Sequence, residues 1–319
     1  MTSCDDGETG SSFDAIDREV SSVKRKDLSK TLALGDMDQR RIRQIHVTIT
    51  RQPGGDLEIL TDPRVRSVAW KDLAKLSRVD TARELALSLP WLALSLYLAG
   101  RGLYALALLA SFFFFLTGLR QAHDAHHYNL GLPRAATEWV LFVLSVLMLG
   151  SMHAVQFNHL RHHKHCMDDE DVEARSARMI WWKALLWGPV FPLLLHKTAL
   201  SKATRRIVGW IYGELLANAV VIGVAIFVWP SRPLRYHLIA MATGHCLTAF
   251  FAVWTVHHDC DPSREIARTL RNRLKSAVAF DMFFHVEHHL FPRVPTCRLP
   301  ELARRLDQVA PELSRKQVY

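Results

Sequence analysis

The sequence predicts an all-α membrane protein: four transmembrane helices in two hairpins, carrying a helical cap on one face. Three observations predict it. The apolar residues are blocked: 85–119 and 207–256 are almost continuously apolar, whereas 1–80 is polar and charged. Each block is cut once by turn-forming residues, Gly100-Arg101-Gly102 in the first and Pro230-Ser231-Arg232-Pro233 in the second. Three copies of His-x-x-His-His flank the blocks, at 123–127, 159–163 and 285–289. At spacings of three and four on a helix, such imidazoles share one face and can converge.

The elements follow in order. Residues 1–35, rich in Ser, Asp, Glu, Gly and Lys, read as a disordered tail. A cytosolic segment, 36–80, contains a candidate hairpin at 45–60, where His46-Val47-Thr48-Ile49-Thr50 alternates and Pro53-Gly54-Gly55 turns. The membrane domain, 81–310, places spans at 85–100, 102–119, 207–229 and 234–256, the first two near the lower length limit for crossing. The apolar run 139–149 lies between the first two histidine boxes. If it crossed, those boxes would end on opposite faces, so it is expected to insert only partly or to be buried beside the cap. Trp181, Trp182 and Trp187, with Pro189 and Pro192, read as an interfacial segment. Residues 311–319 form a short tail.

With two hairpins, both termini and all three boxes share a face. Within roughly twenty residues of the span ends, that face carries seventeen Lys and Arg, against Arg101, Arg232 and Arg235 opposite. Positive-inside asymmetry makes the box face cytoplasmic. The net charge of +9 is thereby read as topology charge, because it flanks spans and forms no aromatic-interleaved stripe of the kind that binds nucleic acid. The N-terminus shows no basic region leading into an apolar run, so no cleavable signal is expected. Cys4, Cys166, Cys246, Cys260 and Cys297 are scattered without C-x-x-C spacing, which fits a reducing compartment.

Histidine is a ready metal ligand in its neutral form. His123, His127, His159, His162, His163, His285, His288 and His289 supply eight imidazoles, more than one octahedral ion accepts, and enough for two ions with positions open to O2 or water. A nitrogen-only set disfavours magnesium and calcium. A structural zinc would need four ligands and favour cysteine. Iron beside an apolar bundle is a setting for O2 chemistry on a hydrocarbon chain. The carboxylate di-iron bundles, by contrast, use paired Glu-x-x-His, which is missing here.

His123-Asp124-Ala125-His126-His127, His159-Leu160-Arg161-His162-His163 and Phe284-His285-Val286-Glu287-His288-His289-Leu290-Phe291-Pro292 resemble the membrane fatty acid desaturase and hydroxylase superfamily, from about Trp70 to Leu306. The resemblance implies four spans, a cytosolic di-iron centre held by the boxes, and electrons from a separate ferredoxin- or cytochrome-type donor with its reductase. It implies that the eight histidines above are ligands, with His126 in a variable slot. Trp254-Thr255-Val256-His257-His258-Asp259 resembles the site of an additional family histidine, and His258 matches that slot better than His257. Asp124, His126, His165, Asp168, His257 and Glu287 are then expected behind the ligands, where carboxylates accept imidazole N–H groups. Phe283 stands where many acyl desaturases carry Asn.

The expected activity is O2-dependent introduction of a double bond into an acyl or lipid chain, delivered as acyl-CoA, on acyl carrier protein or as a membrane lipid. A hydroxylase or ketolase reading uses the same site. A non-catalytic membrane metal-binding or transport protein is the rival of another class. It should hold ligands near the bilayer midplane, where only His245 falls. His153, His165, His196, His237 and His245 otherwise read as surface, interfacial or packed residues, and 168–171 reads equally as a solvated acidic loop.

Overall fold

The computed structural model describes residues 59–60, 62–260 and 266–318. The tail at 1–35 and nearly all of the candidate hairpin lie outside them; its last two residues, Ile59 and Leu60, are helical, not extended. Among the described residues the chain is helical throughout, relieved only by isolated bridges at Thr269. The helices are α1 (Pro63–Arg66), α2 (Arg78–Ala86), α3 (Leu89–Gly100), α4 (Tyr104–His126), α5 (Arg134–Met148), α6 (Met152–His165), α7 (Trp181–Leu186), α8 (Val190–Lys202), α9 (Arg205–Gly223), α10 (Arg232–Thr248), α11 (Thr255–His257), α12 (Arg273–Val278), α13 (His285–Leu290) and α14 (Leu299–Val309).

Among the described residues, three helices are long and apolar enough to cross a membrane: Tyr104–His126, Arg205–Val228 and Arg232–His257. The bent pair α5–α6 would make a fourth if it were one span. The expected span at 85–100 is not one helix. Pro90 has no N–H to give the Ala86 carbonyl and its ring crowds that oxygen, so α2 ends at Ala86 and α3 restarts at Leu89. The remaining 12 residues are short of a full crossing. The Gly100-Arg101-Gly102 turn is as expected, with Gly102 at φ 76°, and α3 packs back along α4. The second expected span is longer than 102–119: α4 runs on to His126 and carries the first box in its last turns.

Local chemistry sets the helix starts. Ser77 and Asp80 form a reciprocal capping box on α2, Ser151 caps α6 through the Ala154 N–H, and Ser231 with Pro233 opens α10. Inside the bundle, Phe114, Leu141, Met148 and Met241 form a core shared by α4, α5 and α10. The cap has its own core, in which Leu299, Leu302, Ala303 and Leu306 of α14 repeat at helical spacing and pack with Val65, Phe284 and Val294. A buried pair ties the two together: Arg120 of α4 meets both oxygens of Glu84 at 2.7 Å and donates to the Phe280 carbonyl at 2.9 Å.

The α5–α6 pair turns through 114°. Leu149 takes a left-handed conformation (φ 58°), and the peptide groups freed by the break are met by other helices. His237 and His245 of α10 donate to the Leu147 and Met148 carbonyls, each at 2.8 Å. His196 of α8 accepts from the Ser151 N–H at 3.2 Å. Gly150 admits His245, whose ring would lie 2.6 Å from any Cβ there. These three histidines are packed residues, in keeping with their sequence reading.

Candidate metal centre

Four chain regions converge above α4 and α10. His123 and His127 come from the end of α4, His159, His162 and His163 from the end of α6, His257 from the last residue of α11, and His285, His288 and His289 from α13. They assemble two four-imidazole clusters. His123, His127, His159 and His288 form one, and His162, His257, His285 and His289 the other. Within each, the ligating nitrogens lie within 4.8 Å of one another. His163 sits between them, its Nε2 2.8 Å from that of His288 and its ring 4.4 Å from that of His289.

What faces the second nitrogen of each ring decides what these clusters can hold. His162 Nδ1 lies 2.7 Å from Asp171, His159 Nδ1 3.0 Å from Glu173, and His257 Nδ1 3.0 Å from the Ile266 carbonyl. Those oxygens accept, so each Nδ1 carries the hydrogen and each Nε2 a lone pair. Yet the Nε2 atoms face one another: His162 to His257 at 3.0 Å, His162 to His289 at 3.2 Å, His159 to His127 at 3.0 Å. In the His162–His257 pair both Nδ1 atoms donate, so two Nε2 lone pairs face each other and repel unless a cation lies between them. Both ring nitrogens of His123 are buried without a hydrogen-bond partner. The donor set therefore fits metal ions, one per cluster.

Electrostatics outside the membrane segments divide the rings: burial would lower His162, but the hydrogen bond to Asp171 and the charge of that carboxylate raise it above the usual histidine range. Burial, with the neighbouring imidazoles, holds His127, His285, His288 and His289 well below the usual histidine range, in the neutral form a metal needs. Burial would raise Asp171, but hydrogen bonds from His162, Met167 and Ala174 bring it down to about 2. It remains a charged acceptor behind His162.

Several expected positions need correction. The ring brought to the second cluster is His257, whereas His258 stacks on Trp254 at 3.8 Å and donates from Nδ1 to the Trp254 carbonyl at 2.8 Å. A π turn, Ala249–Trp254, precedes it and shifts the side-chain phase, and the helix ends at His257, so the next residue leaves the axis. Asp124 accepts from the Thr296 backbone and hydroxyl instead of from a histidine. His165 and Asp168 pair with each other at 3.0 Å on the exposed side of the box. Glu287 is fully buried but binds Arg271 at 2.6 Å and Thr269 at 2.8 Å, anchoring α13 to the cap. Burial pushes its carboxyl up against the pull of Arg271. His126 lies beside the centre, 5.7 Å from the His159 ring. In sequence Asp171 stands beside Asp168 and Asp169 as an equal candidate for such a contact, and Glu173, fourteen residues from His159, has no spacing signal.

An apolar cavity of about 600 Å³ opens from His123, His159, His257 and His285. It runs between α4 and the α10 helix, past Phe115, Leu119 and Phe251, to Leu108 and Ser111. Along α4, Leu108 to His123 is fifteen residues, about 22 Å at the helical rise.

The fatty acid desaturase family model matches residues 99–318, the greater part of the chain. The chain belongs to the fatty acid desaturase family. It is a desaturase-family oxidoreductase and an integral membrane protein, with histidine clusters able to hold metal. It is 27% identical to a beta-carotene ketolase of Paracoccus sp. over 204 residues, 58% of this chain and 73% of that protein. It is 28% identical to the human sphingolipid delta(4)-desaturase/C4-monooxygenase over 209 residues, and 26% identical to the bovine protein of that name over 208. Each of those two matches covers 60% of both chains. No solved structure matches the chain significantly.

Proposed function

We propose that this protein is a membrane-bound di-iron oxidoreductase that uses O2 to introduce a double bond into an acyl or lipid chain. The observation that carries this reading is the apolar cavity ending on two histidine clusters whose lone pairs face inward. Two iron ions held there would supply activation of O2 and removal of hydrogen from an unactivated C–H bond. The residues of the chain do the rest. Glu173, Asp171 and the Ile266 carbonyl fix the imidazole tautomers and aim Nε2 at the ions. Phe115, Leu119, Phe251 and Val253 keep water from an extended chain and hold one stretch of it against the centre. The external donor would be a ferredoxin- or cytochrome-type protein with its reductase.

The topology follows the same reading. The two apolar blocks form hairpins, the first limb being α3 lengthened by the residues before it, since its 12 helical residues fall short of a crossing alone; α5–α6 is a re-entrant pair that does not cross, and the boxes and both termini are cytoplasmic. The 114° bend, its histidine-capped peptide groups and the seventeen-to-three charge asymmetry support it. Reporter fusions after Arg134, Lys202 and Tyr319 are expected on the cytoplasmic side, and one within Ser231-Arg232 outside. An external signal after Lys202 would sink the shared centre.

Oxygen insertion, as in a hydroxylase or ketolase, is the second reading, favoured by similarity to a beta-carotene ketolase and to desaturase/C4-monooxygenases. The two outcomes differ in whether a second hydrogen or a hydroxyl group is transferred, which depends on placement at the centre. Expression with a cognate electron donor and mass spectrometry of the lipids separates them. Loss of two hydrogens supports desaturation and gain of one oxygen supports insertion; neither product, with iron bound and reduced, refutes the assignment.

A further inference from the structure

Outside the two clusters, the most heavily charged part of the interior is built on His153. Its side chain is completely buried in the first turn of α6. Nδ1 lies 2.6 Å from Glu214 Oε1, and Nε2 lies 2.9 Å from Glu138 Oε2. Glu214 is itself fully buried, in the candidate span Arg205–Val228, and its other oxygen accepts from the Ser151 hydroxyl and the His153 backbone N–H. Glu138, on α5, accepts from the Tyr128 hydroxyl at 2.9 Å and faces Arg134 and Arg206 at 3.4 and 3.3 Å.

Against the effect of burial, the hydrogen bonds from His153 and Tyr128, with the charge of Arg206, hold the Glu138 carboxyl below its usual range, so Nε2 donates to it. Nδ1 faces Glu214 as well, so both ring nitrogens are engaged by carboxyl oxygens. Trp210 of α9 lies parallel over that ring, 4.9 Å away at 2°, a placement that favours a cation. Burying these charges costs desolvation that apolar side chains would avoid, and ionisable groups at membrane depth usually serve function. The network adds directional joinery. It fastens α5, α6 and α9 through one ring at the 114° bend, where apolar packing would let α6 rotate or slide.

Six residues after His153, the same helix delivers His159, and then His162 and His163. A small rotation of α6 would carry all three rings away from their partners. We propose that His153 is a positioning residue, a clamp that fixes the rotation and depth of α6 and so aims the imidazoles of the second histidine box. Where it concerns metal, the proposal rests on the reading of the clusters as a metal centre.

The test uses the full chain in detergent with His153→Ala and two measurements. Hydrogen–deuterium exchange of the metal-free protein should show the amides of Met152–His165 exchanging about tenfold faster, with Leu299–Val309 unchanged. Co(II) titration followed by absorption should show roughly tenfold weaker binding and displaced ligand-field bands, the loss expected when a ligand's support is removed. Glu214→Gln, which keeps shape and removes charge, should shift both in the same direction by less, and it carries the test if His153→Ala fails to fold. Unchanged exchange in α6 would overturn the clamp, as would equal acceleration throughout the chain. If the unsubstituted protein takes up no Co(II), the metal reading fails, and the exchange result decides the clamp by itself.

Discussion

Two groups of buried histidines occupy this molecule, and they differ in what stands opposite each ring. In the paired clusters, Nδ1 of His159, His162 and His257 faces an oxygen while Nε2 faces another imidazole Nε2. At His153 both nitrogens face carboxylates. Burial is nearly complete in both places, with His162 at 1% exposure and His153 at 0%. Residue type and burial therefore do not separate a ligand from a clamp. The former leaves lone pairs that only a cation satisfies; the latter leaves none.

That contrast can be broken most severely at the clusters. His162→Ala or His288→Ala should abolish turnover and lower bound iron, measured by elemental analysis of anaerobically purified protein, because each removes a ligand from a different cluster. Two irons per chain are expected in the unsubstituted protein. One zinc and no iron, after purification with iron supplied, would refute the di-iron reading.

A sharper comparison lies between adjacent residues. His257→Ala should lose activity and metal as a ligand variant does, whereas His258→Ala should retain most of both. Its ring is engaged with Trp254 and offers nothing to the centre. The reverse result would restore the choice that family resemblance favours.

Next in size are the acceptors behind the rings. Asp171→Asn and Glu173→Gln should weaken metal binding by roughly 10- to 100-fold without removing a ligand, read from competition with a chelator. Activity restored by excess iron would mark the loss as one of affinity. The smallest effect is expected at the bend in α5–α6. His237→Ala leaves the Leu147 carbonyl without its imidazole donor and should cost about 1–3 kcal/mol of stability. Thermal unfolding in detergent checks it, and iron content should stay near the unsubstituted level.

Much of the candidate site was legible in the chain. Spacing marks the nine box histidines, and seven of them stand in the two clusters, because i, i+3 and i+4 is a local relation that a helix turns directly into convergence. His257 against His258 was not so marked, because a π turn upstream changes the phase by an amount no spacing encodes. Glu173 is not legible in sequence, nor can Asp171 be told from Asp168 and Asp169, because a hydrogen bond behind an imidazole is set by how a 3-10 turn folds over α6, not by nearness in sequence. The first apolar run is not one helix, because Pro90, whose missing N–H ends the helix at Ala86, outweighs apolar composition.

The sequence by itself determined the class of the protein: apolar blocks too long for a soluble core, turns that cut them, and boxes of imidazoles beside them. These are properties of neighbours along the chain, and helix geometry converts them into structure without further information. The tertiary structure decided how the imidazoles divide into two clusters, which histidine completes the second, and which acids hold the tautomers. It also decided that His153, bland in sequence, joins Glu138 and Glu214 across three helices. Each of those depends on which side chains meet between segments up to 165 residues apart, as in the His123–His288 approach. Only the packing of the helices fixes that.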